Sequence, residues 1–439
     1  MRDPEARAYV RVLVLAALLG APVAFAAVLF QTAIHDVIHL VWEVVPEEAG
    51  WSEPAWWYVV LVPGLAGLLV AAALRLPGHG GHSPLEGLGA DPIAPVELAS
   101  ILPAALATLG LGLVLGPEAP LIALGLGLGA LAVRLVRLEG TSAQLLAFSG
   151  AFSAIAALFG GPLIAAFLLF EVTAASGKIP AQQIGRALLP GFVAAGTGAL
   201  VFTGVAGWDG LHQENLALPS LPAYDSVRVS DLAWCLLLAA VISGVVVATR
   251  HMAHRVAAQS FTGPVSLLVV AGLLVGAIAV VFRATADRPV DLVLFSGQSA
   301  LPAVVAEGSV AVLVLLVAAK GLAYALSLGA GFRGGPVFPA IAIGVAAAMA
   351  GADLLPGLHP TPAVATGIAA GTTAVLRVPF TAVLLATLLM GDSAFDVAPI
   401  AVLAAGVAWL VATALPSPED RAAAGRAEAA ATATASQDP

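Results

Sequence analysis

Leu115-Gly116-Pro117-Glu118-Ala119-Pro120-Leu121-Ile122-Ala123-Leu124-Gly125 places one carboxylate and two helix-starting prolines inside a long apolar region. An ionisable group within a membrane segment is costly to keep there and marks a functional site. Proline fits the first turn of a helix, where the N–H that it lacks would be unpaired anyway. The stretch therefore predicts a helix that begins inside the bilayer.

Working outward, a second copy appears at Gly334-Gly335-Pro336-Val337-Phe338-Pro339-Ala340-Ile341-Ala342-Ile343-Gly344. It keeps the glycine, both prolines, the Ile, the Ala and the final glycine, and replaces Glu118 by Val337. Pro162 follows Pro120 by 42 residues and Pro379 follows Pro339 by 40, with Gly150 and Gly367 also in register. Interrupted apolar segments at corresponding places in two halves point to a transporter fold, with its binding site near the midplane at the repeat interface.

Composition agrees. Of 439 residues 60% are hydrophobic and only 10% charged, and mean hydropathy is +0.99, against roughly 25% charged in a soluble domain. This predicts an all-α, polytopic integral membrane protein with two inverted-topology repeats and with broken and short helices. The net charge of −9 lies largely in the termini and one loop. No basic run suggests nucleic acid, and the single Cys235 excludes an internal disulfide and suggests no redox chemistry. No cofactor and no enzymatic activity are expected.

Residues 1–8 read as a cytoplasmic N-terminus and 9–415 as the transmembrane domain, with the first repeat at about 97–205 and the second at about 309–414. Residues 416–439 read as a disordered cytoplasmic tail. Ala24-Phe25-Ala26 imitates a signal-peptidase site, but the apolar run continues past it, so a retained first helix is expected. From Trp42 to Trp57 the chain carries four Glu, no Lys or Arg, and Trp42, Trp51, Trp56 and Trp57. It reads as a non-cytoplasmic loop, with Arg2, Arg7 and Arg11 inside. Further spans are expected near 59–74, 97–115, 119–137, 143–159, 162–176, 186–205, 231–249, 264–282, 309–328, 337–352, 362–376, 378–390 and 396–414. Several are shorter than the ~20 residues that cross a bilayer, and residues 206–230 read as the connection between the halves.

These residues resemble the CLC family of chloride channels and proton-coupled chloride antiporters, from about residue 10 to 415. Gly116-Pro117-Glu118-Ala119-Pro120 resembles the family's G-[KR]-E-G-P, and Gly335-Pro336-Val337-Phe338-Pro339 its G-x-F-x-P. Pro162 through Glu171 resembles A-P-x-(x)n-E, and Ser296-Gly297-Gln298 with Lys320 stands where the family has similar residues. With Gly331-Phe332-Arg333-Gly334-Gly335 the likeness is to a divergent bacterial branch of ion-transport proteins. The resemblance implies a homodimer in membrane lipid, with one pathway per subunit and both termini cytoplasmic; a bacterial inner membrane is expected.

It also implies that Glu118 is the gate, with Gly116, Pro117, Ala119, Gly335, Pro336, Val337 and Phe338 around the anion. A helix N-terminus carries about half a positive charge and unpaired N–H groups, so two of them meeting form an anion site without a buried cation. Pairing of Glu118 with Arg333 or Lys320 is the competing reading. Glu171 either serves the pathway or marks an interface, and Val172 stands where family antiporters carry an acidic proton relay. Chloride or a related inorganic anion is thus expected to pass passively, the alternative being a proton-coupled chloride or fluoride antiporter. The family's G-S-G-x-P serine is absent, its place falling on Gly81 or His79, and no Tyr follows Ala414. Arg333 either supplies positive potential there or anchors an interface.

His79 and His82, with Glu86 and Asp91, offer a remote alternative, the metal site of an intramembrane hydrolase. The segment is Gly-rich and lacks H-E-x-x-H. A secondary transporter for a small organic anion would use the same repeat logic.

Overall fold

Pro and Gly punctuate a chain that is otherwise almost continuously helical. The computed structural model describes residues 4–89, 92–176, 184–205, 207–212, 218, 221–259, 263–417 and 421. Asp91 and nearly all of the tail after 417 lie outside them. The first half runs α1 (Pro4–His39), a π-helical turn (Leu40–Val44), α2 (Val45–Glu48), α3 (Trp56–Ala73), α4 (Leu98–Gly110), α5 (Glu118–Val136), α6 (Gly140–Phe159), α7 (Pro162–Ser176) and α8 (Ile184–Gly204). The second runs α9 (Val229–Ala257), α10 (Pro264–Ala286), α11 (Leu301–Val305), α12 (Val310–Gly329), α13 (Val337–Leu354), α14 (Pro360–Leu376), α15 (Pro379–Leu389) and α16 (Ala394–Ala414). Ten helices among the described residues are long and apolar enough to cross a membrane, and none of these residues forms a strand beyond one isolated bridge.

The expected loop from Trp42 is partly wrong. Helix continues to Glu48, because the π turn re-aims it so that Trp42 is buried and its indole N–H donates to Gly110 O at 3.1 Å. The polar composition of this stretch reflects exposure of one helix face, with Glu47 and Glu48 exposed. Ala24-Phe25-Ala26 lies within unbroken α1.

Equivalent helices pair alike in both halves: α5 with α6 and α13 with α14, α6 with α8 and α14 with α16, α1 with α6 and α9 with α14. The register glycines sit at two of these crossings. A Cβ on Gly125 would lie 2.4 Å from Gly150 O, and one on Gly344 2.2 Å from Gly367 O. Small residues let membrane helices approach to backbone contact where lipid supplies no hydrophobic drive.

The halves also brace one another. Thr108 of α4 accepts from Arg333 N at 3.1 Å, and Ser327 of α12 accepts from Val114 N at 3.0 Å. Each hydroxyl stands nine residues before its own half's key proline, Pro117 or Pro336, and each receives an N–H from the other half's loop. Backbone donors buried away from water must find such partners.

Lys320 on α12 is 1% exposed. Its Nζ donates to the carbonyls of Leu292, Val293, Leu294 and Phe295 at 3.0–3.3 Å, satisfying carbonyls where a short 3₁₀ turn ends. Lys320→Met is expected to leave those carbonyls without their donor, lowering stability by about 3 kcal/mol. A thermal melt followed by size-exclusion fluorescence reads the loss, and an unchanged midpoint would refute it.

Between the halves, the Tyr224 hydroxyl donates to buried Asp231 Oδ2 at 3.0 Å, and His359 N to Asp231 Oδ1 at 3.2 Å. Burial first, then the Asp231 carboxylate, push the Tyr224 phenol up to about 12. The connection is thereby tied to the start of α14.

Candidate functional site

Two loops meet where α5 and α13 begin. Gly116 N donates to Gly335 O at 2.7 Å and Gly335 N to Gly116 O at 2.5 Å, an antiparallel pair that sets the two helix starts side by side. Pro117 and Pro336 are the cap residues of α5 and α13. The Tyr324 hydroxyl donates to Pro336 O at 2.9 Å, so α12 supports the second start from its own half.

Glu118 opens α5, yet its carboxylate crosses to the other half. Oε1 accepts from Phe338 N at 2.9 Å, Oε2 has no partner among the described residues, and the residue is 0% exposed. A Cβ on Gly335 would lie 1.7 Å from Oε2 and one on Gly116 2.3 Å from it. The seat exists because both positions are glycine. A carboxylate is favourable against the N–H end of a helix dipole, which replaces the missing cation. Pairing with a base is overturned: Lys320 serves the 292–295 carbonyls, and Arg333 is engaged elsewhere. Phe338 stacks on Phe159 with centroids 5.7 Å apart, and Val337 is buried beside it. Ala119 is partly buried in the first turn of α5.

Arg333 Nη1 donates to His82 O at 3.1 Å and Nη2 to His79 O at 3.2 Å. These two bonds tie the Gly-rich loop to the segment just before the second helix start. Gly81 lies against Ile101 of α4, and its N–H is spent on Gly78 O at 2.9 Å. The His79 ring faces Leu74 O at 3.2 Å, and His82 Nε2 stands 3.6 Å from Glu86 Oε2. Among the described residues no three His, Cys, Asp or Glu side chains are grouped to hold a metal ion.

Glu171 reaches from α7 to the N-terminus of α15. Its oxygens accept from Phe380 N at 2.9 Å, Thr381 N at 2.7 Å and the Thr381 hydroxyl at 2.5 Å. This is a capping interaction, made across the halves. Val172, next in the chain, packs against the apolar core.

Residues 89–413 match the family model described as voltage gated chloride channel. The chain belongs to the CLC family. It is 29% identical over 362 residues to "Putative ion-transport protein YfeO" of Escherichia coli O1:K1, covering 79% of this chain and 80% of the relative. With the protein of that name from Escherichia fergusonii it is 30% identical over 323 residues, covering 70% and 71%. The fold is shared with a slow cyanobacterial Cl⁻/H⁺ antiporter, at TM-score 0.76 and 21% identity over 93% of this chain and 95% of that one. A CLC-type fluoride/proton antiporter gives TM-score 0.70 and 19% identity over 92% and 95%. The all-α, inverted-repeat membrane architecture is thus that of CLC proteins.

Sequence reasoning missed three supports of this CLC site: Thr108, Ser327 and Tyr324. Extending the repeat comparison upstream of the two prolines would have found the first two, since each lies nine residues before its proline. Tyr324 carries no such signal, because nothing at the matching distance in α4 resembles it.

Proposed function

We propose that the chain carries chloride or a related inorganic anion across the membrane, along a path between the starts of α5 and α13, with Glu118 as its gate. One observation carries this reading: a buried carboxylate, unpaired with any cation, occupies a glycine-walled seat and accepts the Phe338 N–H of the facing helix. A seat that holds one anion by backbone N–H groups suits another. Deprotonated, Glu118 competes with the passing anion; protonated, it gives the place up.

Passive conduction is the preferred mode. Val172 supplies no ionisable group after Glu171, and the Glu171 carboxylate is occupied by three donors. Proton-coupled exchange is the second reading, favoured by the protonatable gate itself. A homodimer with one pathway per subunit, in an inner membrane with Arg2, Arg7 and Arg11 on the cytoplasmic side, completes the proposal.

Chloride efflux from proteoliposomes, with and without a potassium ionophore and with external pH recorded, tests it. Passive conduction gives flux that needs the ionophore and moves no protons. Uphill proton movement in fixed ratio would replace it by exchange, and no anion flux of either kind would overturn the transport reading.

A further inference from the structure

A second polar feature lies beside the gate. A small cavity of about 80 Å³ opens between the end of α1, the 295–299 segment and the loop that starts α5. Ile34, Ile38, Leu109, Leu115, Pro117 and Phe295 form its apolar side, so it abuts the residue that precedes Glu118. Its polar lining is Gln31, His35, His212, Ser296, Gln298 and Ser299, with no carboxylate among them. Amides, hydroxyls and imidazoles all offer N–H or O–H donors.

The two imidazoles come from different parts of the chain and meet here. The His35 and His212 rings stack with centroids 3.8 Å apart and planes 20° from parallel. His35 projects from α1, and His212 is fixed in the connection between the halves by its own N–H, which donates to Thr32 Oγ1 at 3.1 Å. Among the described residues, neither ring hydrogen-bonds to protein. Two imidazolium rings at this distance would repel, and an anion held beside them offsets that repulsion.

We propose that the His35–His212 pair and the donors around it form a vestibule anion site, separate from the seat of Glu118, in which a halide-sized monovalent anion and a proton bind together. The proposal rests on the anion-pathway reading for its purpose, but binding itself does not require transport. Coupling is reciprocal: whatever factor the anion adds to proton affinity, the proton adds to anion affinity. The site would concentrate anions beside the gate under acid conditions.

Among the described residues the charged groups around the pair are few. Asp36 and His39 of α1 and Glu43 of the π turn act on His35 through space, with His39 and Glu43 themselves 3.6 Å apart. The joining segment carries Asp209, which is exposed. From the 295–299 side no titratable residue lines the cavity, and the Lys320 ammonium is taken up by the carbonyls behind it. Glu118, next to Pro117, turns its carboxylate to Phe338.

The test uses full-length protein carrying Glu118→Gln, so that the gate takes up no proton. In weakly buffered detergent solution near pH 7, sodium chloride is added and proton uptake is read by an indicator dye, with sodium gluconate as the control. The expected result is chloride-dependent uptake of up to about half a proton per chain. It is reduced by His35→Gln or His212→Gln alone and lost with both. In proteoliposomes, the half-saturating chloride concentration is expected to be roughly fivefold lower at about pH 5.5 than at about pH 8, and the double substitution removes that shift. Uptake that persists undiminished without both histidines, or no uptake with both present, overturns the site. Chloride-dependent uptake in a protein that shows no flux would instead keep the site and sink the transport reading.

Discussion

Glu118→Gln is expected to raise chloride flux at neutral pH and to erase most of its rise on acidification. The substitution keeps the length and shape of the side chain and removes only its charge. The ionised carboxylate is held by the N–H end of α13, where Phe338 N donates to it at 2.9 Å. A helix terminus stabilises a negative group by about 0.3–2 kcal/mol more than a neutral one, so the amide leaves the seat more often. If the carboxylate occupies the path nine-tenths of the time, freeing it raises flux roughly tenfold. The sign of the pH effect follows from the same competition. With Glu118 as the proposed gate, acid is expected to neutralise it and raise wild-type flux, whereas the amide has no proton to gain. Proteoliposome efflux across a pH series reads both effects. Wild-type flux with an unaltered pH dependence in the variant would remove Glu118 from the gate.

Much of this arrangement was legible before any coordinates. Helix starts at Glu118, Pro162, Val337 and Pro379 follow from where proline is tolerated, and all four appear within a residue of expectation. The repeat was visible because the helix crossings demand glycine: Gly125 meets Gly150 and Gly344 meets Gly367 with no room for a side chain. The helical run through Trp42 was not legible, since a polar amphipathic helix end and a loop have similar compositions.

Side-chain partners were harder still. Glu171 is separated from Thr381 by 210 residues, and no local pattern tells that its carboxylate caps α15. Lys320 looks from the sequence like a counter-charge for Glu118. Its real partners are backbone carbonyls, which every residue carries and no sequence displays. Gly335 was read as a helix-start residue near the anion, and its part in shaping the Glu118 seat emerges only when the halves are brought together.

That part gives the second large effect. Gly335→Ala is expected to reduce chloride flux at least about tenfold, and neither acid nor a concurrent Glu118→Ala should restore it. The Cα–Cβ direction at Gly335 points into the seat, with the added carbon 1.7 Å from where Glu118 Oε2 rests. The methyl group therefore displaces the carboxylate and fills the seat that the proposed path gives to the anion. Unlike the carboxylate it has no charge to lose and no torsion by which to swing away. The backbone cannot withdraw cheaply, because Gly335 exchanges two hydrogen bonds with Gly116 at 2.7 and 2.5 Å, and breaking a buried pair leaves polar groups unsatisfied at about 1–3 kcal/mol each. The two substitutions separate the gate from the path: removing the carboxylate opens, adding the methyl closes, and the combination stays closed if both act on one seat. Recovery of flux in the Glu118→Ala, Gly335→Ala double variant would show that anions pass elsewhere, and wild-type flux in Gly335→Ala alone would show that the glycine-walled seat lies off the path.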